Sequence, residues 1–337
     1  MKNNSKFKIV FLVLLLVVMT GCTKQLKDVN GKIVKNEATG QTLPSNILCK
    51  PTDKDIIKLY ETTREKQLKS LDKKLKNDDI TKSEYNKKKK ALLDVNKLVA
   101  CKNFKVSSGG YEGLWTTFFV KPLTWVLIQL GQILKNYGLA VIAATLLIRL
   151  ILFPVTRKAA KQSELMKLAQ DDLSKIEKKY KNKNDQESMA MKSQEMMAIY
   201  KKNNFNPMTG CLTSLIQLPI FIAFLEAINR IPALFEEKFL GLHLGTSPSV
   251  GIGNGNWLYV IVIIVVGVTT FFSFKNTAST GNEATQKQTK TMMNVFLVMI
   301  VVMSVFMTTA LGLYWSVSNL FTMGQNYLVK RRAQDVK

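Results

Sequence analysis

Histidine and metal-ligand patterns are almost absent from this sequence of 337 residues. His243 is the only histidine, and neither a spacing typical of metal ligands nor a Gly-rich phosphate loop occurs along the chain. A catalytic triad that needs histidine therefore has a single candidate residue. From these absences we predict that the chain is not an enzyme and that it uses no metal ion or cofactor.

Acidic residues are also scarce, because 24 Asp and Glu stand against 48 Lys and Arg, which gives a net charge of +24. A basic chain could bind nucleic acid, but 47% of all residues in the sequence are hydrophobic. The apolar residues gather in blocks of roughly 17–20, the length that an α-helix needs to cross a bilayer, and the lysines lie between the blocks. Basic loops of this kind face anionic lipid on the inner side of a membrane. The sequence therefore predicts an all-α polytopic membrane protein without a specific nucleic-acid partner.

The N-terminus has the pattern of a secretory signal. Three lysines flank or precede an apolar run at 9–19 that is too short to span a membrane comfortably, and the run ends in Met-Thr-Gly-Cys at 19–22. This ending resembles a bacterial lipobox, in which small residues precede the cysteine that receives the lipid. We expect a lipoprotein signal peptide at 1–21 and a lipid (palmitate) anchor on Cys22. In the alternative, an uncleaved anchor with an ordinary Cys22 thiol, the residues that follow still lie outside the cytoplasm.

The segment 22–110 is predicted to lie outside the membrane as a tether followed by a helical hairpin. Residues 23–50 are polar and predict a flexible tether. Within 53–100, leucines recur at spacings of three and four on a first Lys-rich helix, and a capping box of Thr81 and Glu84 starts a second one. The role of this hairpin stays open.

Cys49 and Cys101 bracket the two predicted outer helices. In an oxidising exterior, a disulfide between them would join the two ends of the hairpin. Two free thiols are the alternative. Cys211 falls in a predicted membrane segment, where we expect a small buried residue instead of a reactive thiol.

Four apolar blocks follow the outer segment, at 138–155, 209–228, 257–274 and 291–329. The last block is too long for one crossing. A polar, small-residue interruption at 308–312 divides it into spans at 291–308 and 311–329. The sequence therefore predicts a five-helix transmembrane core within 138–329.

Charge sets the predicted orientation of these spans. The loop 156–207 holds 12 Lys and Arg, whereas the loop 229–256 holds only two. The positive-inside rule places the first loop in the cytoplasm, and five crossings from an outer N-terminus place the C-terminus there too. We expect a cytoplasmic helical hairpin at 157–204 and a basic cytoplasmic tail at 330–337.

The stretch 111–137 interleaves aromatic residues with lysines and glutamines ahead of the first span. Its amphipathic character predicts a helix that lies in the outer interface of the membrane. A sixth span is the alternative, but it would break the agreement between the N-terminal signal and the loop charges.

Arg149 lies inside the first predicted span, between two apolar stretches. An arginine at this depth costs several kcal/mol unless it reaches water or a polar partner, although it could also snorkel towards the inner surface. Other polar residues in the spans need partners too. Singly they often only hold helices together, but around one interior space they would form a polar cavity with Arg149 as its only full charge. These candidates are Thr145, Thr213, Gln217, Trp315, Asn319, Thr322 and Asn326.

Three motifs occur in order along the predicted core. They are NYGLAVI with LLIRLILFPVT (136–142 and 146–156), NPMTGCL with QLPI (206–212 and 217–220), and GLYWSVSNLF with GQ (312–321 and 324–325). Together they extend over about 111–332 and resemble the YidC/Oxa/Alb family of membrane protein insertases. The resemblance implies a five-helix core with an open polar groove, in which Arg149 contacts the incoming chain and Trp315 lines the wall.

The resemblance also implies a function and partners. It predicts an insertase and chaperone for nascent integral membrane proteins, acting alone or with the Sec translocon, with the ribosome or the signal recognition particle pathway as further partners. The small outer segment resembles the Gram-positive type, a lipoprotein of the bacterial cell membrane. For the hairpin 157–204 the resemblance implies a docking arm, whereas the residues alone predict a self-packed pair of helices.

Three other classes of protein share some of these features. A transporter or channel also uses charge within the membrane, but it usually carries internal repeats, and no repeated half occurs in this sequence. A membrane enzyme would need converging acids, histidine or cysteine in the spans. A lipoprotein adhesin would leave Arg149 and the inner hairpin unexplained. The sequence therefore favours the insertase.

Overall fold

The structure is a computed structural model that describes residues 24–183, 185–203, 208–275 and 283–334. Within these ranges it consists of helices, connecting loops and one short β-hairpin. Cys22 and the signal segment lie outside the described residues, as do the side chains of Cys211 and Thr213. The elements are α1 (Lys54–Lys76), α2 (Lys82–Ala91), α3 (Lys121–Leu134), α4 (Tyr137–Leu168), α5 (Gln170–Lys179), α6 (Gln186–Lys202), α7 (Met208–Asn229), α8 (Pro232–Phe235), β1 (Lys238–Phe239), β2 (Leu242–His243), α9 (Pro248–Gly253), α10 (Val260–Lys275), α11 (Glu283–Phe306) and α12 (Thr309–Gln334).

The described chain forms two compact units, and several long helices contribute residues to both. The first unit comprises residues 24–144, 219–260 and 306–311. The second unit comprises residues 145–218, 261–305 and 312–334. The outer segment and the loop after α7 therefore belong to the first unit, and Arg149 belongs to the second.

Residues 24–50, which the sequence predicts to be a flexible tether, are folded in the structure. Leu26, Leu43 and Ile47 are buried and join a hydrophobic core with α1. The N–H of Leu26 donates to the carbonyl of Leu43 at 2.7 Å, and isolated antiparallel bridges pair the flanking residues. The prediction of a tether is wrong because three scattered apolar side chains carry the packing without a periodic pattern that sequence could reveal.

The helices α1 and α2 form a basic hairpin in the first unit. The predicted capping box is confirmed, since the N–H of Glu84 donates to Thr81 Oγ1 at 3.2 Å and the N–H of Thr81 donates to Glu84 Oε2 at 3.1 Å. The hydroxyl of Tyr85 donates to Asp72 at 2.7 Å and links the two helices. The rest of α2 is exposed apart from Tyr85, so its lysines face solvent.

Cys49 and Cys101 are joined by a disulfide in the structure. Both side chains are buried, and beside them the N–H of Lys50 donates to the carbonyl of Val99 at 2.8 Å. The two cysteines are separated by 52 positions, and both α1 and α2 lie between them. The bond therefore closes the base of the outer hairpin.

The loop between α7 and α10 is folded around a small β-hairpin. The strands β1 and β2 pair antiparallel, with Lys238 opposite His243. The helix α12 begins against this loop, because the N–H of Thr309 donates to the carbonyl of Thr246 at 3.0 Å. This bond satisfies one of the backbone donors that a helix N-terminus leaves without an intrahelical partner.

Three described helical stretches are long and apolar enough to cross a membrane, namely Thr116–Leu134, Tyr137–Met166 and Trp257–Lys275. Two shorter apolar stretches are Gln217–Asn229 and Lys290–Phe306. The five predicted spans coincide largely with α4, α7, α10, α11 and α12. Because these assignments rest on length and composition, the number and the direction of the crossings stay predictions.

The helix α4 continues through Pro154 to Leu168, although the sequence predicts a span that ends at 155 and a separate inner arm. Proline removes one backbone hydrogen bond, but membrane helices tolerate this loss where side chains support the neighbouring carbonyls. The carbonyl of Leu150, four positions before Pro154, loses its partner, and the helix nevertheless continues without a break. The first apolar helix and the start of the inner hairpin are therefore one element.

The helices α5 and α6 pack against each other in the second unit. Leu173, Ile176 and Tyr180 are the buried face of α5 and its C-terminal end. The Tyr180 hydroxyl donates to Glu195 of α6 at 2.9 Å, and Lys179 Nζ lies 2.6 Å from the same carboxylate. These bonds, with that from Lys179 first, lower the pKa of Glu195 below its ordinary value.

Candidate polar site around Arg149

Arg149 lies on α4 in the second unit with its side chain half-buried. Its Nε donates to Ser318 Oγ of α12 at 2.8 Å, and Nη2 contacts the same oxygen. None of the ion pairs between described residues includes Arg149. A hydroxyl group, and not a carboxylate, therefore holds this guanidinium in place.

Tyr314 and Gln217 extend the polar network around Ser318. Tyr314 is buried one turn before Ser318 on α12. Gln217 of α7 donates from Nε2 to the Tyr314 hydroxyl at 3.3 Å. Three helices, α4, α7 and α12, thus bring polar side chains to one place.

The contact between α4 and α12 continues for two further turns. Phe153 and Phe321 meet edge to face with ring centroids 6.3 Å apart. The Thr156 hydroxyl donates to Gln325 Oε1 at 2.8 Å. Because residue numbers rise together on both helices from the Arg149 contact onwards, α4 and α12 run parallel.

Tyr314, Ser318 and Gln325 are site residues that the sequence reasoning misses. They recur on α12 at spacings of four and seven, which places them on one helical face. This spacing is the signal that could have found them. The signal is hard to recognise because Trp315 and Asn319, each one position later on α12, show the same spacing of four.

Trp315 and Asn319 direct their polar groups to another neighbour of α12. Trp315 Nε1 donates to Thr270 Oγ1 at 3.0 Å, and the side-chain amide of Asn319 hydrogen-bonds the same hydroxyl at 3.0 Å. The same amide also lies 3.4 Å from Thr269 Oγ1. These bonds join α10 to α12, the helix-packing role that the sequence leaves open as an alternative for such residues.

The remaining candidates flank the Arg149 contact or lie outside it. Thr145 is fully buried one turn before Arg149 on α4. The Thr322 hydroxyl donates to the carbonyl of Ser318 at 2.9 Å, within its own helix. The side chain of Thr213 lies outside the described part of the chain, so the site as described rests on Arg149, Gln217 and the newly identified residues of α12.

An exposed apolar flank lies next to Arg149 on α4. Leu150 and Ile151 are 62% and 68% exposed, and side chains of this kind face lipid in a bilayer. A guanidinium carries five N–H donors, more than one hydroxyl oxygen can accept. The arrangement can therefore bind a further carbonyl or carboxylate oxygen beside a lipid-facing surface.

His243 belongs to the folded loop of the first unit and not to this site. It lies in β2, and its backbone N–H donates to the Tyr259 hydroxyl at 3.0 Å. Among the described residues, no group of three or more His, Cys, Asp and Glu side chains could hold a metal ion. The chemistry that the described site offers is hydrogen bonding and charge.

Comparison with known proteins assigns the chain to a family. The family described as "60Kd inner membrane protein" matches residues 129–336. "Membrane protein insertase YidC" of Alkalihalophilus pseudofirmus is 37% identical over 250 residues, which cover 73% of this chain and 94% of that protein. The protein of the same description from Oceanobacillus iheyensis is 36% identical over 226 residues, or 65% of this chain and 85% of that one. A solved structure, "Active YidC insertase crystal structure with the first transmembrane domain resolved", aligns at 25% identity with a TM-score of 0.49, over 66% of this chain and 48% of that chain. The family match and the curated relatives show that the chain belongs to the YidC/Oxa/Alb family of membrane protein insertases.

Proposed function

We propose that this protein inserts integral membrane proteins into the bilayer and helps them fold, through a polar site centred on Arg149. The observation that carries the proposal is the environment of Arg149, a half-buried guanidinium on an apolar helix that is held by the hydroxyl of Ser318. A permanent charge at such a place is costly for a membrane protein and marks a functional site. Membership of the insertase family supports the same function.

The first step of the proposed mechanism is the transfer of a polar substrate segment from water to the site. Arg149, Ser318 and Gln217 supply hydrogen-bond partners that replace the segment's water. This replacement lowers the free energy of moving peptide groups and polar side chains through hydrocarbon, where each unsatisfied group costs several kcal/mol. Because Arg149 is a cation, segments that carry carboxylates bind best.

The second step is the release of the substrate's apolar helix into lipid. The exposed flank at Leu150 and Ile151 offers apolar side chains along which this helix can move. Burial of apolar surface contributes about 25 cal/mol per Å², and the membrane potential contributes about 2.3 kcal/mol per charge and 100 mV when an acidic segment moves outwards. The mechanism needs no covalent intermediate and no nucleotide.

The proposed topology has five crossings, a lipid-modified Cys22 outside the bacterial cell membrane and a C-terminus in the cytoplasm. The parallel course of α4 and α12 supports it, because both helices are predicted to run from the outside inwards. An interfacial position for α3 is supported by the buried Lys121 in its first turn. Its Nζ donates to the carbonyl of Ser108 at 2.7 Å, which ties α3 to the outer segment.

The proposed partners are nascent membrane proteins and the lipid bilayer, with the Sec translocon, the ribosome and the signal recognition particle pathway as further candidates. The inner hairpin of α5 and α6 is the candidate docking arm. Its packing contacts through Glu195 support a self-packed structure. Met189, Met191 and Met197 are about half exposed and offer the adaptable apolar surface that a docking role requires.

Depletion and complementation test the proposed function. Cells depleted of the protein express a small membrane protein with an acidic outer segment, and protease accessibility reports its insertion. Wild type restores insertion, whereas Arg149→Ala lowers it by about tenfold or more, the effect of losing one charge-assisted contact. Arg149→Lys restores part of it, because the charge stays but the planar fork is lost.

The matched control is Arg331→Ala, which removes an exposed arginine near the end of α12. If insertion depends on the charge at Arg149 and not on total positive charge, Arg331→Ala leaves insertion unchanged. Equal insertion by Arg149→Ala and wild type at equal abundance would show that the charge is dispensable. If wild type itself restores nothing, the insertase proposal fails and a transporter becomes the leading hypothesis.

A further inference from the structure

A small cleft lies between the adjoining ends of α10 and α11 in the second unit, away from Arg149 in the sequence. It has a volume of about 110 Å³. Lys275 ends α10, and Lys290 lies on α11, and both side chains line the cleft. The same predicted topology that directs α10 inwards places this cleft at the cytoplasmic edge of the membrane.

The two ammonium groups of the cleft are exposed and have no described partner. Neither Lys275 nor Lys290 takes part in an ion pair or side-chain hydrogen bond between described residues. The helix α10 contains no acidic residue, and residues 290–306 of α11 contain none either. The side-chain amide of Asn294 adds a polar group one turn after Lys290. The rim of the cleft is therefore positively charged.

The floor of the cleft is apolar. Phe271 and Phe274 of α10 face Met293 and Leu297 of α11 across it. Phe271 lies about 6 Å along the helix axis from Lys275, and Leu297 about 10 Å from Lys290, at 1.5 Å per residue. On both helices the apolar side chains thus extend from the lysines towards the middle of the helix.

We propose that this cleft binds an anionic phospholipid, with the phosphate between Lys275 and Lys290 and the start of one acyl chain on the apolar floor. Basic pockets between membrane helices at this depth suit phosphate headgroups. A free phosphate ion would use the rim but not the floor. A zwitterionic lipid would bring its own cation to a rim that has no described carboxylate to receive it.

Native mass spectrometry of the full-length protein in a neutral detergent tests this site. The probes are phosphatidylglycerol, phosphatidylcholine and glycerol phosphate, which lacks acyl chains. We expect wild type to retain phosphatidylglycerol and neither of the other two. The double variant Lys275→Gln/Lys290→Gln should retain it about 30-fold more weakly, given the usual contribution of each lysine to lipid binding.

Two further variants separate the site from general electrostatics. Lys73→Gln/Lys76→Gln removes the same charge from exposed positions on α1 and should leave retention unchanged. Lys275→Arg/Lys290→Arg keeps the charge and should restore retention. Equal retention by wild type and Lys275→Gln/Lys290→Gln would overturn the proposal, and so would equal binding of glycerol phosphate or phosphatidylcholine. The outcome does not depend on insertion activity, so it stands or falls separately from the proposed function.

Discussion

The two units accommodate buried cations in opposite ways. In the first unit, Arg230 is 2% exposed, its Nη2 lies 2.6 Å from Glu112 Oε2, and its Nε donates to the carbonyl of Asn46 at 2.6 Å. Lys121 is completely buried, and its Nζ lies 3.5 Å from the same carboxylate. In the second unit, the half-buried Arg149 is held by a hydroxyl.

This difference supports the proposal that the charge of Arg149 has a functional role and that the charges of Arg230 and Lys121 have a structural one. Glu112 compensates the cations of the first unit, so their charge is used to join the outer segment, α3 and the loop after α7. No described carboxylate compensates Arg149, so its charge can act on a ligand. The position of the compensating acid therefore tells more about the role of a buried cation than burial does.

Arg230→Met should have the largest effect on stability. The variant loses two contacts of a charged group, the ion pair with Glu112 and the hydrogen bond to the carbonyl of Asn46. Each such contact contributes about 1.5–3 kcal/mol, so we expect a loss of about 3–5 kcal/mol, although Glu112 keeps Lys121 as a partner. Unfolding of the full-length protein in detergent, followed by circular dichroism, measures the loss, with Arg331→Met as the exposed control. An unchanged unfolding transition would contradict the structural role of Arg230 and erase the contrast with Arg149.

Removal of the disulfide should have the next largest effect and should be confined to the first unit. A loop of 52 positions corresponds to about 4 kcal/mol in the chain-entropy account. Cys49→Ala/Cys101→Ala should lower the free energy of unfolding of the outer segment by this amount. Treatment of the wild-type protein with a reductant should have the same effect, and Cys211→Ala is the control. Alkylation of both thiols in protein taken directly from cells would contradict the bond.

Substitutions on α12 should distinguish its two polar faces. Asn319→Ala removes a hydrogen bond to α10 and should cost about 1 kcal/mol, with insertion per folded molecule unchanged. Ser318→Ala should cost no more in stability but should lower insertion, because it frees Arg149 from its anchor. If Ser318→Ala and Asn319→Ala change stability and insertion in the same way, both faces of α12 serve packing alone.

The smallest expected effect concerns pH and the folded loop of the first unit. Burial, with a further contribution from Lys238, lowers the pKa of His243 below its ordinary value. The contribution of His243 to the free energy of unfolding is therefore fully present above its pKa in the unfolded chain, about 6.5. This contribution decreases as the pH falls towards the lower pKa of His243 in the folded protein. Thermal unfolding between pH 7.5 and 5 measures how the melting temperature changes with pH. His243→Asn should reduce this change, and the same change in variant and wild type would contradict a contribution from His243.

Much of the fold follows from patterns that are local in sequence. The apolar blocks indicate where the long helices lie, because a membrane helix needs a fixed length of apolar residues. The capping box of Thr81 and Glu84 marks the start of α2 for the same local reason. The end of the first apolar helix does not follow, because Pro154 suggests a break that the tertiary environment suppresses.

The features that sequence misses depend on contacts between distant residues. The loop position of Arg230 suggests a solvated charge, and its burial becomes evident only when Glu112, more than a hundred positions earlier, lies beside it. On α12, Ser318 and Asn319 are adjacent in sequence but turn to α4 and α10. Spacing identifies both faces of the helix, but it does not say which neighbour each face meets.

Site-specific photo-cross-linking to a stalled nascent membrane protein tests the central claim, that the charge of Arg149 holds the substrate. A photoreactive residue at Gln217 reports on the polar site, and one at Val298, an exposed position on α11, reports on lipid-facing background. We predict adducts from position 217 that disappear with Arg149→Ala and return in part with Arg149→Lys, and few adducts from position 298. Adducts from position 217 that persist undiminished with Arg149→Ala, or equal adducts from both positions, would contradict the account.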